Sequence, residues 1–529
     1  MKNWICLWLV LVPLAILSGQ RAAGLTWGGA IDSMQEGIEV YKYDLRLRVN
    51  LDARQIGGEL GIRYRLPKGR ETLRLQLGPW YEVEGVRTAR EALSFSRTED
   101  VIDIQSAPDS GWVYVAYSGT PPVAKRPPWS GGFTWAKDAE GNHWQGLSSQ
   151  NAGGVLFMPC VNHPSKRALE GVRQEITVPK PYVVAANGLL SELRESDKTL
   201  TYIWESQYPI SPYNINFTTG IFERGEQPFI SVSGDTVPMV IYLLKTDADR
   251  MSEMMRVFRQ SAQTQESYFG PYPFSKEKLG IVHTPYLGME HQTINAYGNR
   301  FRFDTLGGVV FDWLLHHELG HEWWGNKLSV PDWADFWLHE GFCTYGDWLA
   351  HEAYGGKEAY REQALNVRPG IRFLRPLVPD RPADTKTAYT GEVYFKGAYV
   401  LHSLRWVLGD EDFFDMLYDL AQHSAHSYEN QWTTLDFLEE VSDYTNYDLT
   451  DMMDVYLNQT EPLKVKLTAW PEDLYSVRWE NVSSSLPLEI DMDGDLHTLD
   501  LGSQDIFFST STAPEIDPMG WYLLEVIQD

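Results

Sequence analysis

Three cysteines in 529 residues are too few for a disulfide framework. Cys6 lies in the first apolar run, while Cys160 and Cys343 fall in different expected domains, so two buried free thiols are favoured over a single bridge. Basic residues are scarce as well. The chain has 45 Lys and Arg against 72 Asp and Glu, a net charge of −27, which argues against nucleic acid and anionic membrane surfaces as partners. Internal repeats, low-complexity tracts and long single-sign charge runs are absent, so repeat arrays and charged tails are excluded. Beyond the N-terminus no segment reaches the roughly 20 apolar residues that a membrane-spanning helix needs.

The N-terminus is the exception. Met1-Lys2-Asn3 leads into WICLWLVLVPLAIL and then SGQRAAG, which has the basic start, short apolar run and small-residue cleavage options of a secretory signal peptide. Residues 1–24 are assigned to it, with cleavage after Gly19 or Gly24 and an uncleaved anchor as the alternative. The mature chain is then expected outside the cytoplasm, periplasmic or secreted, with no stable membrane span. No cysteine follows the apolar run closely enough to accept a lipid.

The remaining length exceeds a single core and divides by pattern. Residues 25–222 alternate apolar and polar in short runs such as VYKYDLRLRVNL and GWVYVAYSG, between Gly and Pro turns, which predicts an antiparallel β-sandwich-like domain. Across 223–460 helical patterns dominate, among them DRMSEMMRVFRQSAQTQESYFG and TTLDFLEEVSDY. Residues 461–529 return to alternation in LKVKLTAW and LPLEIDM, predicting a small C-terminal β domain. The expected class is therefore α+β and multidomain.

Within the helical stretch, FDWLLHHELGHEWWGN contains His317-Glu318-Leu319-Gly320-His321. On a helix, residues i and i+4 share a face, so His317 and His321 can converge on one metal while Glu318 reaches a water beside it. Apolar residues from Phe311 to Trp323 recur near helical spacing, which predicts a continuous buried helix there. A catalytic zinc takes three protein ligands and keeps one position open. Glu340 in WLHEGFCTYGD supplies the third, with Pro331 breaking the chain before a second helix expected near Asp335. Trp337, Leu338, Phe342 and Tyr345 around Glu340 predict burial, where a carboxylate needs a partner.

HELGHEWWGN followed by WLHEGF resembles the gluzincin aminopeptidases of peptidase family M1, the membrane alanyl aminopeptidase and leukotriene hydrolase type. TPYLGMEHQTINAYGN at 284–299 resembles the family's G-x-M-E-N loop: Gly288, Met289 and Glu290 match, while Leu287 and His291 depart in the manner of a bacterial subgroup. TAYTGEVYFKGAYVL maps Tyr394 onto the family's catalytic tyrosine and Tyr389 onto its neighbour, and SSQNAGGVLFMPC maps Gln150 into the substrate-amine pocket. The family's acidic residues after P-C are replaced in VNHPSKR, so nothing transfers to Asn162 or His163. Asp347 stands where the family places an acidic residue that orients a metal ligand.

The resemblance implies a thermolysin-like catalytic domain over 223–460, one zinc ion per chain and peptide substrates with a free N-terminus. Many relatives end in a large helical domain over the cleft, and the few residues after 460 imply a more open one. Each transferred residue has an independent physical task. Glu318 would carry a proton from water to leaving amine, Tyr394 would donate to the oxyanion, and Glu290 with Gln150 would hold the substrate ammonium by charge-assisted hydrogen bonds. A protonated His291 would compete for Glu290 at lower pH. The other readings are a non-catalytic peptide-binding relative and, among enzymes, an endopeptidase or epoxide-opening hydrolase. The aromatic-rich WSGGFTWAKDAEGNHWQG at 129–146 is expected to be a β-domain loop leading to Gln150, ahead of a carbohydrate-stacking surface.

Overall fold

The computed structural model describes residues 27–528, and the expected signal peptide at 1–24 lies outside the described residues. In the strand Glu39–Asn50, Tyr43, Leu45, Leu47 and Val49 turn inward while Arg46 and Arg48 turn out. Alternation of this kind fixes which face meets the core. The strand pairs antiparallel with Gln55–Arg65, Asn50 opposite Gln55, and parallel with Val172–Pro179, Tyr43 opposite Val172. Four more strands complete a seven-stranded sheet running from Leu189–Glu195 at one edge to Tyr81–Arg87 at the other. A four-stranded sheet of Val183–Ala186, Phe217–Gly220, His143–Ser148 and Gly132–Lys137 adjoins it. The stretch read from sequence as an aromatic loop is part of that sheet: Trp135 pairs with Gln145, and the strand His143–Ser148 ends just before Gln150.

The next region holds a sheet that helical periodicity did not announce. Phe222–Ile230, Thr236–Leu244, Leu279–His283, Asn295–Tyr297 and Gly288–Met289 form five strands in that spatial order, leaving Gly288–Met289 at an edge. The helix Met251–Phe269 buries Met254, Met255, Phe258, Ala262 and Phe269 along one stripe. The helices Trp313–Gly320, Trp337–Val367, Glu392–Leu408, Asp410–His423, Thr434–Ser442 and Thr450–Asn458 follow. Trp337–Val367 and Glu392–Leu408 meet glycine to glycine: a Cβ on Gly341 would lie 2.9 Å from Gly397 Cα. That backbone approach brings Glu340 and Tyr394, one residue before and three residues before those glycines, to a common cleft.

The C-terminal part forms a four-stranded sheet of Ile506–Ser509, Leu474–Trp479, Leu463–Trp470 and Leu524–Gln528, and a three-stranded sheet of Asp495–Leu501, Leu486–Met492 and Glu515–Ile516. It is anchored on the helices by Trp521, whose ring stacks on His402 at 4.9 Å and Trp406 at 5.1 Å. Cys160 and Cys343 are both buried and unpaired. Among the described residues no helix is long and apolar enough to cross a membrane.

Candidate metal centre and active site

Asp312 caps the helix Trp313–Gly320, accepting from Leu315 N at 3.2 Å, and also receives Tyr297 Oη at 2.7 Å and Asn299 Nδ2 at 2.9 Å. The helix stops at Gly320, so the continuous helix expected through Trp323 is not formed. His321 nevertheless keeps helical angles, φ −63° and ψ −16°, which preserves the i, i+4 convergence with His317. The chain breaks after it because the turn to Gly325, at φ 129°, brings the Trp324 carbonyl back to His321 Nδ1 at 2.9 Å. The second helix starts at Trp337, after a 3-10 turn Trp333–Asp335 capped by Asp332.

Glu340 Oε2 lies 3.3 Å from His317 Nε2 and 3.4 Å from His321 Nε2. Donors about 2.0–2.2 Å from one tetrahedral zinc stand roughly 3.3–3.6 Å apart, so these separations suit shared coordination. The other imidazole nitrogens are already engaged: His317 Nδ1 with Asp347 Oδ2 at 2.9 Å and His321 Nδ1 with the Trp324 carbonyl. Both Nε2 atoms are thus turned towards a metal, in the tautomer that such ligation requires. Two imidazoles and one carboxylate, all buried with donor atoms within 4.8 Å of one another, fit a zinc ion.

Glu290, Glu318 and His321 make a second buried set, also within 4.8 Å, that shares the imidazole. Gly288 leaves room for it: a Cβ there would collide with the Glu318 carboxylate and lie 2.7 Å from Leu314 Cδ1. Met289 is buried beside it. Tyr394 Oη donates to Glu340 Oε1 at 2.9 Å and meets Tyr389 Oη at 2.6 Å. Gln150 Nε2 reaches the same Glu340 Oε1 at 3.4 Å, so the four-stranded sheet delivers a side chain into the helical site. All ten sequence-selected residues therefore gather at one place: His317, Glu318, His321, Glu340, Tyr394, Glu290, Gln150, Gly288, Met289 and Asp347.

Residues 253–456 match the Peptidase family M1 domain. The chain carries a peptidase family M1 domain. It is 24% identical to aminopeptidase N of Escherichia coli over 279 residues, 49% of this chain and 31% of that protein. It is 23% identical to leucyl aminopeptidase of Saccharolobus solfataricus over 450 residues, 77% of this chain and 53% of the relative. The chain thus spans about a third to a half of the curated relatives it matches. The M1 zinc metallopeptidase of Deinococcus radiodurans has a similar fold, TM-score 0.67 at 22% identity, covering 82% of this chain and 95% of that one. A variant of that protein bound to a Tyr-Ser-Ala substrate gives a TM-score of 0.68 at 24% identity, covering 82% and 96%.

The electrostatics of the M1 site follow from burial. Burial raises the Glu318 carboxyl to about 8, with Glu290 and Glu340 adding to it against the two imidazoles. Burial also raises Glu290, whose Oε1 has no hydrogen-bond partner. Burial, then Glu340 and Tyr389, push the Tyr394 phenol far up, so it remains a neutral donor. The expectation for His291 is corrected here. Burial drives it down to about 3 and its Nε2 pairs with Asn216 Nδ2 at 2.9 Å, so it stays neutral and cannot compete for Glu290. Sequence reasoning missed the groups that hold the loop: Asn214 Nδ2 and Asn326 Nδ2 each donate to the Glu290 carbonyl at 3.1 Å. Asn326 closes the HELGHEWWGN motif and could have been suspected; Asn214 lies in SPYNINF, which carries no motif.

Proposed function

We propose that the chain is a zinc-dependent aminopeptidase that removes N-terminal residues from peptides. The observation that carries this reading is Glu290, a buried carboxylate with an unpartnered oxygen, set beside the metal ligands and the Glu318 carboxylate. A buried charge without a partner is costly, and a substrate ammonium is the partner that an exopeptidase provides. An internal peptide bond offers no such cation, which disfavours endopeptidase action. The aminopeptidases among the relatives support the same class.

His317, His321 and Glu340 would hold the zinc, which supplies polarisation of the scissile carbonyl and of the attacking water when bound. Glu318 then serves as base towards that water and delivers the proton to the leaving amine. Its raised pKa suits both halves of the task near neutral pH. Tyr394 donates its O–H to the oxygen on which negative charge grows, and Tyr389 holds that phenol at 2.6 Å. Glu290 and Gln150 fix the amine, which sets the scissile bond one residue from the end. Asp347 keeps His317 in its ligating tautomer. The leader-like N-terminus further supports an extracytoplasmic location.

The test is a panel of aminoacyl reporter amides beside N-acetylated counterparts, with and without a zinc chelator. Chelator-sensitive hydrolysis confined to free amines is expected. Equal rates on acetylated substrates would rule out the aminopeptidase reading, and chelator-resistant turnover would rule out the metal.

A further inference from the structure

The first described residues run through the site from outside every motif. Trp27 is 1% exposed, although it stands at the start of the described chain. Its carbonyl accepts from Thr385 N at 2.9 Å, Gly29 N donates to the Ala383 carbonyl at 2.8 Å, and the Gly29 carbonyl lies 2.9 Å from His163 Nε2. Gly28, at φ +89°, passes so close to Trp333 that a Cβ would collide with the indole. Only glycine adopts that angle and that approach together at low cost. The segment Trp27–Gly29 is thus strapped between the β domain and the chain leading to Tyr389.

The indole is a wedge between the two arms of the amine pocket. On one side it meets the turn three residues beyond Gln150: a Cβ on Gly153, at φ +71°, would lie 2.9 Å from Trp27 Nε1. On the other side its ring lies 4.7 Å from Tyr213, tilted at 48°, and 4.7 Å from Trp333. The Tyr213 hydroxyl faces the Glu290 carboxylate. Backbone ties close the frame, since Ser149 Oγ donates to the Tyr213 carbonyl at 2.7 Å and Asn214, the next residue, holds the Glu290 carbonyl.

We propose that Trp27 and Tyr213 are positioning residues of the substrate-amine pocket, the strap setting the distance between Gln150 and Glu290 and the Tyr213 hydroxyl fixing the Glu290 carboxylate. The inference rests on the aminopeptidase reading. A tie that merely joined domains would need the two backbone bonds at Ala383 and Thr385; it would not need a tryptophan inserted between Gly153 and Tyr213. The amine pocket is therefore assembled from four distant segments, and its geometry depends on the first of them.

The experiment uses the zinc-loaded chain and its Tyr213→Phe, Trp27→Ala and Trp27→Phe variants. Zinc content, thermal midpoint, kcat and KM on free-amine reporter amides, and calorimetric affinity for an L-amino-acid amide are measured. Tyr213→Phe keeps the ring and removes one hydrogen bond to a charged group, so KM and the amide dissociation constant should rise roughly ten-fold or more, with zinc retained and kcat changed much less. Trp27→Ala should shift the same two constants, and Trp27→Phe should recover most of the loss. Parental KM and amide affinity in Tyr213→Phe would overturn the proposal, whatever Trp27→Ala does to folding. A parent that neither binds the amide nor cleaves free-amine substrates would instead remove the aminopeptidase reading beneath it.

Discussion

Replacing Asp347 by asparagine should weaken zinc binding without emptying the ligand set. Asp347 Oδ2 accepts from His317 Nδ1 at 2.9 Å, with the two side chains 15% and 11% exposed. In so dry a place the carboxylate does two things: it holds the imidazole so that Nε2 faces the metal, and its charge makes the ring a better donor. An asparagine amide oxygen can still accept the same hydrogen bond, so orientation survives and the charge is lost. Removing such a partner typically costs 10–100-fold in metal affinity, which is about 1.4–2.7 kcal/mol. Asp347→Asn should fall in the lower half of that range, and Asp347→Ala, which loses both effects, near its top. Competition for zinc against a chromophoric chelator reads the difference directly and needs no turnover. If both variants bound zinc within two-fold of the parent, the contact would be packing between two helices, and the account of how His317 is oriented would be wrong.

Glu318→Gln should keep a full complement of zinc while turnover falls by several orders of magnitude, because it removes the proton carrier and no ligand; metal analysis beside single-turnover kinetics decides it, and loss of zinc would contradict the assignment. Gly288→Ala places a methyl against the Glu318 carboxylate and 2.7 Å from Leu314 Cδ1, and since displacements near 1 Å can cost about 10²-fold in rate, kcat should drop by roughly that factor with zinc retained. Near-parental kcat would show that the strand Gly288–Met289 yields easily. Far from the metal, burial raises Asp517 from 3.8 to about 7 even though Trp521 N and Tyr522 N donate to it. A folded pKa above the unfolded one means stability that is complete below 3.8 and lost as pH rises through about 7. Denaturant titrations from pH 4 to 8 should show that decline, on the order of 4 kcal/mol at most, and Asp517→Asn should flatten it; equal pH slopes in parent and variant would count against it.

What was legible in the chain depended on how far apart the cooperating residues are. His317, Glu318 and His321 sit within one turn of helix, and Glu340 follows after a single break, so local periodicity and ligand chemistry sufficed. The end of the helix at Gly320 was not legible, because the Trp324 carbonyl that replaces it as a partner for His321 depends on a glycine turn. Tyr394 and Gln150 were reachable only through family resemblance. Gln150 meets Glu340 across 190 residues of sequence, and Tyr394 reaches it through the Gly341–Gly397 helix contact. The five-stranded sheet escaped for another reason. All five residues of Leu279–His283 are buried, so the strand shows no alternation to read. His291 was misjudged because its charge was argued from its ordinary pKa, whereas complete burial decides its state.

The two halves of the proposed activity also differ in how much of the fold they require. The groups that bind zinc and carry the proton lie on two adjoining helices with their own caps and contacts, and the Gly341–Gly397 approach adds the phenol. The groups that hold an amine come from the edge strand loop, the four-stranded sheet and the Trp27 strap, joined by single bonds such as Ser149 Oγ to the Tyr213 carbonyl. A small shift between the β domain and the helices would leave His317, His321 and Glu340 in place, yet move Gln150 relative to Glu290. Hydrolysis is thus locally encoded, while the restriction to the first peptide bond is a property of the packing between distant segments. Destabilising that packing should cost discrimination between free and blocked amines before it costs the metal.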